Sequence, residues 1–236
     1  MLRRQLVVAI FISISIWSCA QVASTASPKI VAPLRPLLEV LDKAKVSGSL
    51  GLSGHCDVGL PPHLPHLRAP STTGRSPLQV AREMFAADPG VQVTQDPDGT
   101  IRVFESGAPT ELLNVKISHI SFESNGAPLR YAAFGPSSAL HYVILQAPEV
   151  VAFANAHDIL VPFAGAEGSV GNQPTPAEAP HIAGSMDNLT VSQALDRVLQ
   201  TFPGIWAYEN CPSDDRKGRV LFFWFFSLQN PGLFAE

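Results

Sequence analysis

The side chains best suited to chemistry lie in one long loop, residues 54–75, which is rich in proline, histidine and serine. It contains imidazole, thiol and carboxyl groups in close succession, at His55, Cys56, Asp57, His63 and His66. Imidazole and thiolate are ligands that zinc prefers. The spacing lacks the helix or tight knuckle that holds such ligands together, and the prolines stiffen the backbone between them. The favoured interpretation is a set of loop histidines in an exported protein, with no metal bound.

A second candidate for chemistry is the serine motif around Ser137. Residues 135–139 match the Gly-x-Ser-x-Ala pattern of a hydrolase nucleophile elbow, which needs a strand before it and a helix after it. Downstream, Asp158 and His181 are the nearest approach to an acid–histidine pair, and they do not stand out as one. A secreted hydrolase or metal-dependent enzyme, using the Ser137 region or the His-rich loop, is therefore the alternative hypothesis. The favoured prediction is a protein without catalytic residues and without a cofactor.

The elements that position these residues follow an export signal. Arg3 and Arg4 form a basic start, residues 6–16 form an apolar core, and small residues follow. This order predicts a secretory signal peptide over residues 1–26, with a core too short for a comfortable membrane span. We therefore expect a periplasmic or secreted protein. Residues 16–19 loosely resemble a bacterial lipobox, so membrane attachment is expected only if Cys19 is lipidated.

Apart from Cys19, the chain holds two cysteines, Cys56 and Cys211. Each is expected in a loop, and the two loops belong to different halves of the chain. Export to an oxidising compartment favours a disulfide bond between them, which would tie the halves together. Two unpaired thiols are the alternative, because spacing alone does not reveal connectivity.

Charge and composition bound the class of partner. The 236 residues are 46% hydrophobic and 15% charged, which suits one large or two small globular domains. The formal net charge is −4, and the densest basic spot is the turn at residues 216–219. No basic stripe is available to displace counterions from phosphates, so nucleic-acid binding is not predicted.

Two helices are predicted with the same start signal. A hydroxyl residue is followed three positions later by glutamine, at Ser76 and Gln79 and again at Thr190 and Gln193. In such a capping box the hydroxyl accepts a hydrogen bond from a helical N–H, and the glutamine reaches back to the cap. Each helix then meets a Pro-Gly step, which stops it.

The apolar positions of the two helices agree as well. Each helix carries one stripe, formed by Val80, Ala81, Met84 and Phe85 in the first and by Ala194, Leu195, Val198 and Leu199 in the second. A strand, a polar turn with Gly99 or Gly218, and a second strand follow in each case. This repetition predicts an internal duplication. The expected fold class is α+β, with two related small modules, each with helices packed on one face of a short sheet.

The module boundaries follow from this pattern. The first module is predicted over residues 27–106 and the second over residues 147–236. A β-hairpin segment, residues 107–146, is expected to join them. Asn125-Gly126 is a favourable two-residue hairpin turn, and residues 141–146 are expected to form a further strand.

The final strand, residues 220–228, carries five consecutive aromatic residues: Phe222, Phe223, Trp224, Phe225 and Phe226. A half-exposed strand would alternate between apolar and polar residues, so burial of both faces is the favoured interpretation. The alternative is a partner-docking strand, because exposed apolar strand edges recruit other chains.

The second half resembles the short N-terminal domain shared by secretins and TonB-dependent receptors. The matching features are a strand with Gly and a small residue, a helix opening with Thr-Val, apolar pairs along it, and a glycine before two short strands. They correspond to residues 182–186, 189–191, Ala194, Leu195, Val198, Leu199 and 204–208. The first half is similar in a degenerate form, through residues 76–78, Ala81, 84–85 and 90–91.

This resemblance implies a periplasmic interaction module in an envelope complex. No β-barrel follows, and the loops at residues 54–75 and 165–180 are long for that family. The expected function is an exported, non-catalytic protein-interaction or scaffold module of the bacterial cell envelope, with an envelope protein as its partner.

Overall fold

The computed structural model describes residues 32–53, 63–128, 136–161, 182–212 and 218–228. Within these ranges the chain forms five α-helices: α1 (Arg35–Ala44), α2 (Pro77–Met84), α3 (Pro136–Gln146), α4 (Pro148–Ala156) and α5 (Val191–Thr201). Two short 3₁₀ helices cover Ala32–Leu34 and Leu112–Asn114. No described helix is long and apolar enough to cross a membrane.

The strands, in chain order, are β1 (Gly48–Ser53), β2 (Val91–Gln95), β3 (Ile101–Glu105), β4 (Lys116–Ser121), β5 (Glu123–Ser124), β6 (Ala127–Pro128), β7 (Ile159–Leu160), β8 (Ser185–Thr190), β9 (Ile205–Pro212) and β10 (Arg219–Phe226). Six of them form one mixed sheet in the order β2-β3-β1-β9-β10-β7. β4 pairs with β8, and β5 pairs with β6, in two smaller antiparallel sheets. The α+β fold class predicted from the sequence is confirmed.

Both predicted capping boxes are present. Ser76 Oγ accepts from Gln79 N at 3.3 Å and Gln79 Oε1 accepts from Ser76 N at 2.9 Å, at the start of α2. The start of α5 repeats these two bonds with Thr190 and Gln193. Each side chain satisfies a backbone donor that the first helical turn leaves without a partner.

The two halves contribute strands in the same order. β1 is followed by α2 and the hairpin β2–β3, and β3 returns to lie parallel to β1. β7 is followed by α5 and the hairpin β9–β10, and β10 returns to lie parallel to β7. The halves do not, however, form two short sheets. β1 and β9 pair in parallel over six residues, so the strands of both halves form one sheet and a two-module organisation is not confirmed.

Helices cover both faces of this sheet. On one face α1 and α2 pack against alternate residues of the central strands, including Leu50, Ile101 and Ile205, in what we call the first core. On the other face α3, α4, α5 and the β4–β8 sheet pack against residues such as Trp206 and Phe223, in the second core. Successive residues of a strand point to opposite faces, so a central strand buried on both sides reads as continuously apolar.

The connection at residues 107–146 differs from its prediction. The Asn125-Gly126 turn does form a hairpin, β5–β6, with φ of 54° and 75° at its two central residues. The expected strand at residues 141–146 is wrong, because this stretch belongs to α3. Ala139, Leu140, Val143 and Ile144 are buried in α3, and their helical spacing outweighs the strand propensity of Val143 and Ile144.

Candidate partner-docking edge

The aromatic residues of β10 are packed on both faces of the sheet. Phe223 and Phe225 contact the second core, whereas Trp224 and Phe226 contact the first. Phe222, Phe223 and Phe226 are buried, and Trp224 and Phe225 are partly buried. β9 pairs with β10 along the whole strand, from Arg219 to Phe226. These side chains therefore belong mainly to the core, as the favoured interpretation of the sequence expects.

The part of β10 that is available for binding a partner is the backbone on its outer side, away from β9. β7 covers that side only at Arg219 and Val220, which pair with Ile159 and Leu160. Among the described residues, no strand pairs with the outer side of residues 221–226. Every second residue of an edge strand directs its N–H and C=O outward, so this stretch offers a row of backbone groups that no strand of the described ranges pairs with.

Apolar surface adjoins this open stretch. The large hydrophobic side chains that are exposed in the described part of the chain are Val151 of α4, at 38%, and Leu160 of β7, at 44%. Leu160 pairs with Val220, at the point where β7 stops and the open stretch of β10 begins, and Val151 belongs to α4, which packs against β7. We call the outer side of residues 221–226, together with Val151 and Leu160, the docking edge.

A close backbone approach fixes this corner. Arg219 N donates to the carbonyl oxygen of Asp158 at 3.0 Å, and Asp158 itself has a left-handed φ of 51°. A Cβ at Gly218 would collide with that same carbonyl oxygen. Glycine at position 218 therefore lets the turn after α4 approach the start of β10 and places the start of β7 beside it.

A polar network joins side chains of the first half to side chains of α5 and β9 in the second half. Arg102 of β3 donates to both carboxylate oxygens of Asp196 on α5, at 2.9 and 2.5 Å, and to Asp96 at 2.8 Å. Ser49 Oγ and the Trp206 indole complete the network, at 3.1 Å from Arg102 and 2.8 Å from Asp196. The side chains of Arg102 and Asp196 are only 12% and 13% exposed.

The electrostatics of this network indicate a structural role. Burial disfavours the charge on Arg102, but hydrogen bonds and attraction from Asp196 and Asp96 outweigh it, so the pKa of Arg102 lies above its ordinary value. The guanidinium directs its donors at groups of the chain itself. The network therefore joins β3 to α5 and is not arranged to capture an anion.

The side chains predicted to support an enzyme are not brought together in the described part of the chain. His55, Cys56, Asp57 and His181 lie outside it, while His63 and His66 are exposed in the segment before α2. No group of three or more metal-ligating side chains occurs among the described residues. The hydrolase and metal-enzyme hypotheses stay untested predictions.

Ser137 lies in the first turn of α3. Its carbonyl oxygen is 2.8 Å from Nδ1 of the buried His141, one helical turn later. The strand that a nucleophile elbow requires would fall at residues 129–135, which lie outside the described ranges. The contact with His141 is one between a ring nitrogen and the backbone, so it does not activate the Ser137 hydroxyl.

The small sheet brings together an acid and a histidine that the sequence analysis did not identify. His119 Nδ1 is 2.6 Å from Asp187 Oδ1, and Ser185 Oγ donates to the other carboxylate oxygen at 2.8 Å. These hydrogen bonds, that from His119 first, lower the pKa of Asp187. The serine is bonded to the acid and not to the imidazole, so the three do not form a charge-relay arrangement.

Cys211 lies in β9 and not in the loop expected from the sequence, and it is buried. Ser53, the last residue of β1, pairs with the neighbouring Asn210. Cys56 follows Ser53 by three residues and lies outside the described ranges. The disulfide between Cys56 and Cys211 stays a prediction.

Comparisons with protein-family models, with curated proteins and with solved structures gave no match to this chain. The resemblance to the short N-terminal domain of secretins and TonB-dependent receptors is therefore neither supported nor refuted.

Proposed function

We propose that this chain is an exported, non-catalytic protein-interaction module of the bacterial cell envelope that binds an extended segment of a partner protein at the docking edge. The observation that carries the proposal is the open outer side of β10 at residues 221–226, where no described strand pairs. An extended segment added there would complete the backbone hydrogen bonds of the sheet. Export rests on the basic and apolar N-terminal sequence.

The composition of the docking edge favours a partner. Proteins blunt free sheet edges with lysine, proline, bulges or very short strands. Residues 221–226 contain none of the first two, and β10 is eight residues long. β2, at the opposite edge of the sheet, is shorter and exposes Gln92, Thr94 and Gln95. β2 also lacks lysine and proline, so the two edges differ in strand length and in the polarity of their exposed side chains.

The chemistry of the partner follows from the side chains around the edge. Leu160 offers apolar contact beside the open backbone, and Val151 offers a second exposed apolar side chain on the helix that packs against β7. We infer an extended partner segment that presents alternate apolar side chains toward this corner. Main-chain hydrogen bonds would supply affinity, and the fit to Leu160 and Val151 would supply selectivity.

Site-specific photo-crosslinking in the full-length chain tests the proposal. A photoreactive residue at position 160, irradiated in an envelope extract, is expected to give an adduct with one other protein. The same residue at position 92, on β2, is the matched control and should give none. Leu160→Lys should weaken recovery of that partner at least roughly tenfold, because a desolvated charge would oppose strand addition, whereas Gln92→Lys should not.

Three outcomes would contradict the proposal. Equal adducts from positions 160 and 92 would indicate nonspecific contact. An adduct with twice the mass of this chain would show that the edge binds a second copy. Absence of any adduct at position 160, with a partner still recovered by Leu160→Lys, would place the interaction on another surface.

A further inference from the structure

One segment crosses the first-core face of the sheet without regular secondary structure. We call this segment, residues 63–70, the strap. Leu64, Pro65 and Leu67 are turned inward, and both leucines pack against the first core. Two backbone donors fix its course: His63 N bonds to Glu209 Oε1 at 3.1 Å, and Arg68 N bonds to the carbonyl oxygen of Met84 at 2.8 Å. One end of the strap is therefore held by a carboxyl group.

Glu209 is an unusual residue for that position. It belongs to β9, where it is only 3% exposed, and its neighbours in register are Leu52 of β1 and Phe222 of β10. Neither neighbour carries a charge. No lysine, arginine or histidine among the described residues forms an ion pair with Glu209. A buried carboxylate without a counter-ion is costly, so the group favours its neutral form.

The surrounding groups act on Glu209 in opposite directions. Burial raises its pKa to about 7, the His63 N–H lowers it, and the charge of Glu105 on β3 raises it. Glu105 is itself held by the backbone N–H and hydroxyl of Ser53, at 2.6 and 3.2 Å. The strap adds the exposed imidazoles of His63 and His66.

We propose that Glu209 is a proton-operated latch for the strap: the neutral carboxyl stays buried beneath the closed strap, and ionisation favours the open strap because the carboxylate must be hydrated. The His63 N–H bond to Oε1 opposes opening, but burial of an unpaired carboxylate costs more than this single bond returns. In the released state Glu209 is hydrated. Protonation thus favours the closed strap, and deprotonation favours the open one.

The size of the effect follows from linkage. A group that titrates at about 7 when covered and near 4.5 when hydrated changes the ratio of closed to open strap on the order of a hundredfold across that interval. The direction is fixed: the closed strap is favoured at acidic pH and loses its advantage as the pH rises through neutrality.

Amide hydrogen exchange of the full-length protein tests this latch. We expect the amides of His63 and Arg68, the two hydrogen-bonded donors of the strap, to lose at least tenfold in protection between pH 5 and pH 8, after correction for the intrinsic pH dependence of exchange. Glu209→Gln keeps the acceptor and removes the titration, so its strap should stay protected at both pH values. The double variant His63→Gln/His66→Gln should retain the loss seen in the natural protein.

Several results would overturn the proposal. One is protection of the strap that does not change with pH in the natural protein. A second is a pH response in Glu209→Gln that equals that of the natural protein. A third is loss of the pH response in the His63→Gln/His66→Gln variant. If Glu209→Gln does not fold, the side-chain carboxyl of Glu209 can be titrated by carbon NMR in the natural protein. A midpoint that coincides with strap release supports the latch, and a midpoint near 4.5 contradicts it. Neither result depends on partner binding, so the latch and the docking edge stand or fall separately.

Discussion

The helices α2 and α5 have the same start signal and the same apolar stripe, but they are used differently. α2 covers the first core and α5 covers the second, on the opposite face of the shared sheet. At the position where α2 has the exposed Arg82, α5 has the partly buried Asp196, which pairs with Arg102 of the other half. The comparison teaches that one local sequence pattern specifies a helix and its buried side, while single polar substitutions determine how the two halves are joined.

The largest expected effect comes from breaking the bond between the halves. Arg102→Met should lower the free energy of unfolding by about 3 kcal/mol, because it leaves the partly buried Asp196 without its counter-charge. Urea denaturation of the full chain measures this loss. Arg82→Met, at the exposed position on α2, is the control and should change stability by less than about 0.5 kcal/mol.

A double variant sharpens this test. Arg102→Met with Asp196→Asn removes both charges, keeps an acceptor for the Trp206 indole N–H and should recover most of the lost stability. A loss of less than about 1 kcal/mol for Arg102→Met alone would show that the network does not join the halves.

The pH dependence of stability should differ between equivalent positions of the two hairpins. Glu209 of β9 matches the exposed, neutral Gln95 of β2. Because burial raises the pKa of Glu209 to about 7, its contribution to stability is fully present below pH 4.5 and is lost as the pH rises to 7. The loss is on the order of 3 kcal/mol, since each pKa unit corresponds to about 1.4 kcal/mol.

Urea titrations between pH 4 and pH 8 check this dependence. Glu209→Gln should flatten that part of the profile, with Gln95→Glu as a control that leaves it unchanged. A profile in which the natural protein and Glu209→Gln run parallel would contradict the assignment.

Two equivalent glycines offer a smaller test. A Cβ at Gly204, just before β9, would collide with the backbone carbonyl of Phe226, which can move only with the strand. A Cβ at Gly90, just before β2, would meet a side-chain oxygen of Asp88 at 3.1 Å. Gly204→Ala should therefore cost about 2 kcal/mol, and Gly90→Ala less than about 1 kcal/mol. Thermal unfolding of both variants measures the contrast, and equal costs would argue against it.

The smallest expected effects should be alike in the two halves. Ser76→Ala and Thr190→Ala each remove one side of a capping box and should each cost about 1 kcal/mol. Circular dichroism during urea unfolding is sufficient to compare them. A cost confined to one variant would show that the shared start signal contributes to stability in only one half.

The features that sequence predicted well are those set by neighbours along the chain. The capping boxes at Ser76 and Thr190, and the hairpin turn at Asn125-Gly126, depend on residues at most three positions apart. The parallel pairing of β1 with β9 joins residues more than a hundred positions apart, and no local pattern encodes it. α3 was mistaken for a strand because its β-branched residues suit either structure when taken alone.

The candidate site divides in the same way. The aromatic run of β10 was visible in the sequence, and its burial on both faces followed from the missing alternation. The open edge was not visible, because it depends on where the two-residue strand β7 stops. Glu209 was not identified for a related reason. The sequence alone does not distinguish an acidic residue in a polar turn from one that lies beneath another segment of the chain.

The β1–β9 pairing determines what we expect when the polypeptide chain is cut between its two halves. Its six paired residues lie at the centre of the sheet, with strands of one half on one side and strands of the other half on the other. A cut between residues 128 and 136 would leave each fragment with one unpaired side of the β1–β9 ladder and one of the β4–β8 ladder. We therefore expect the two fragments to reassemble when they are co-expressed. Either fragment alone would expose an unpaired apolar strand edge, and we expect it to precipitate.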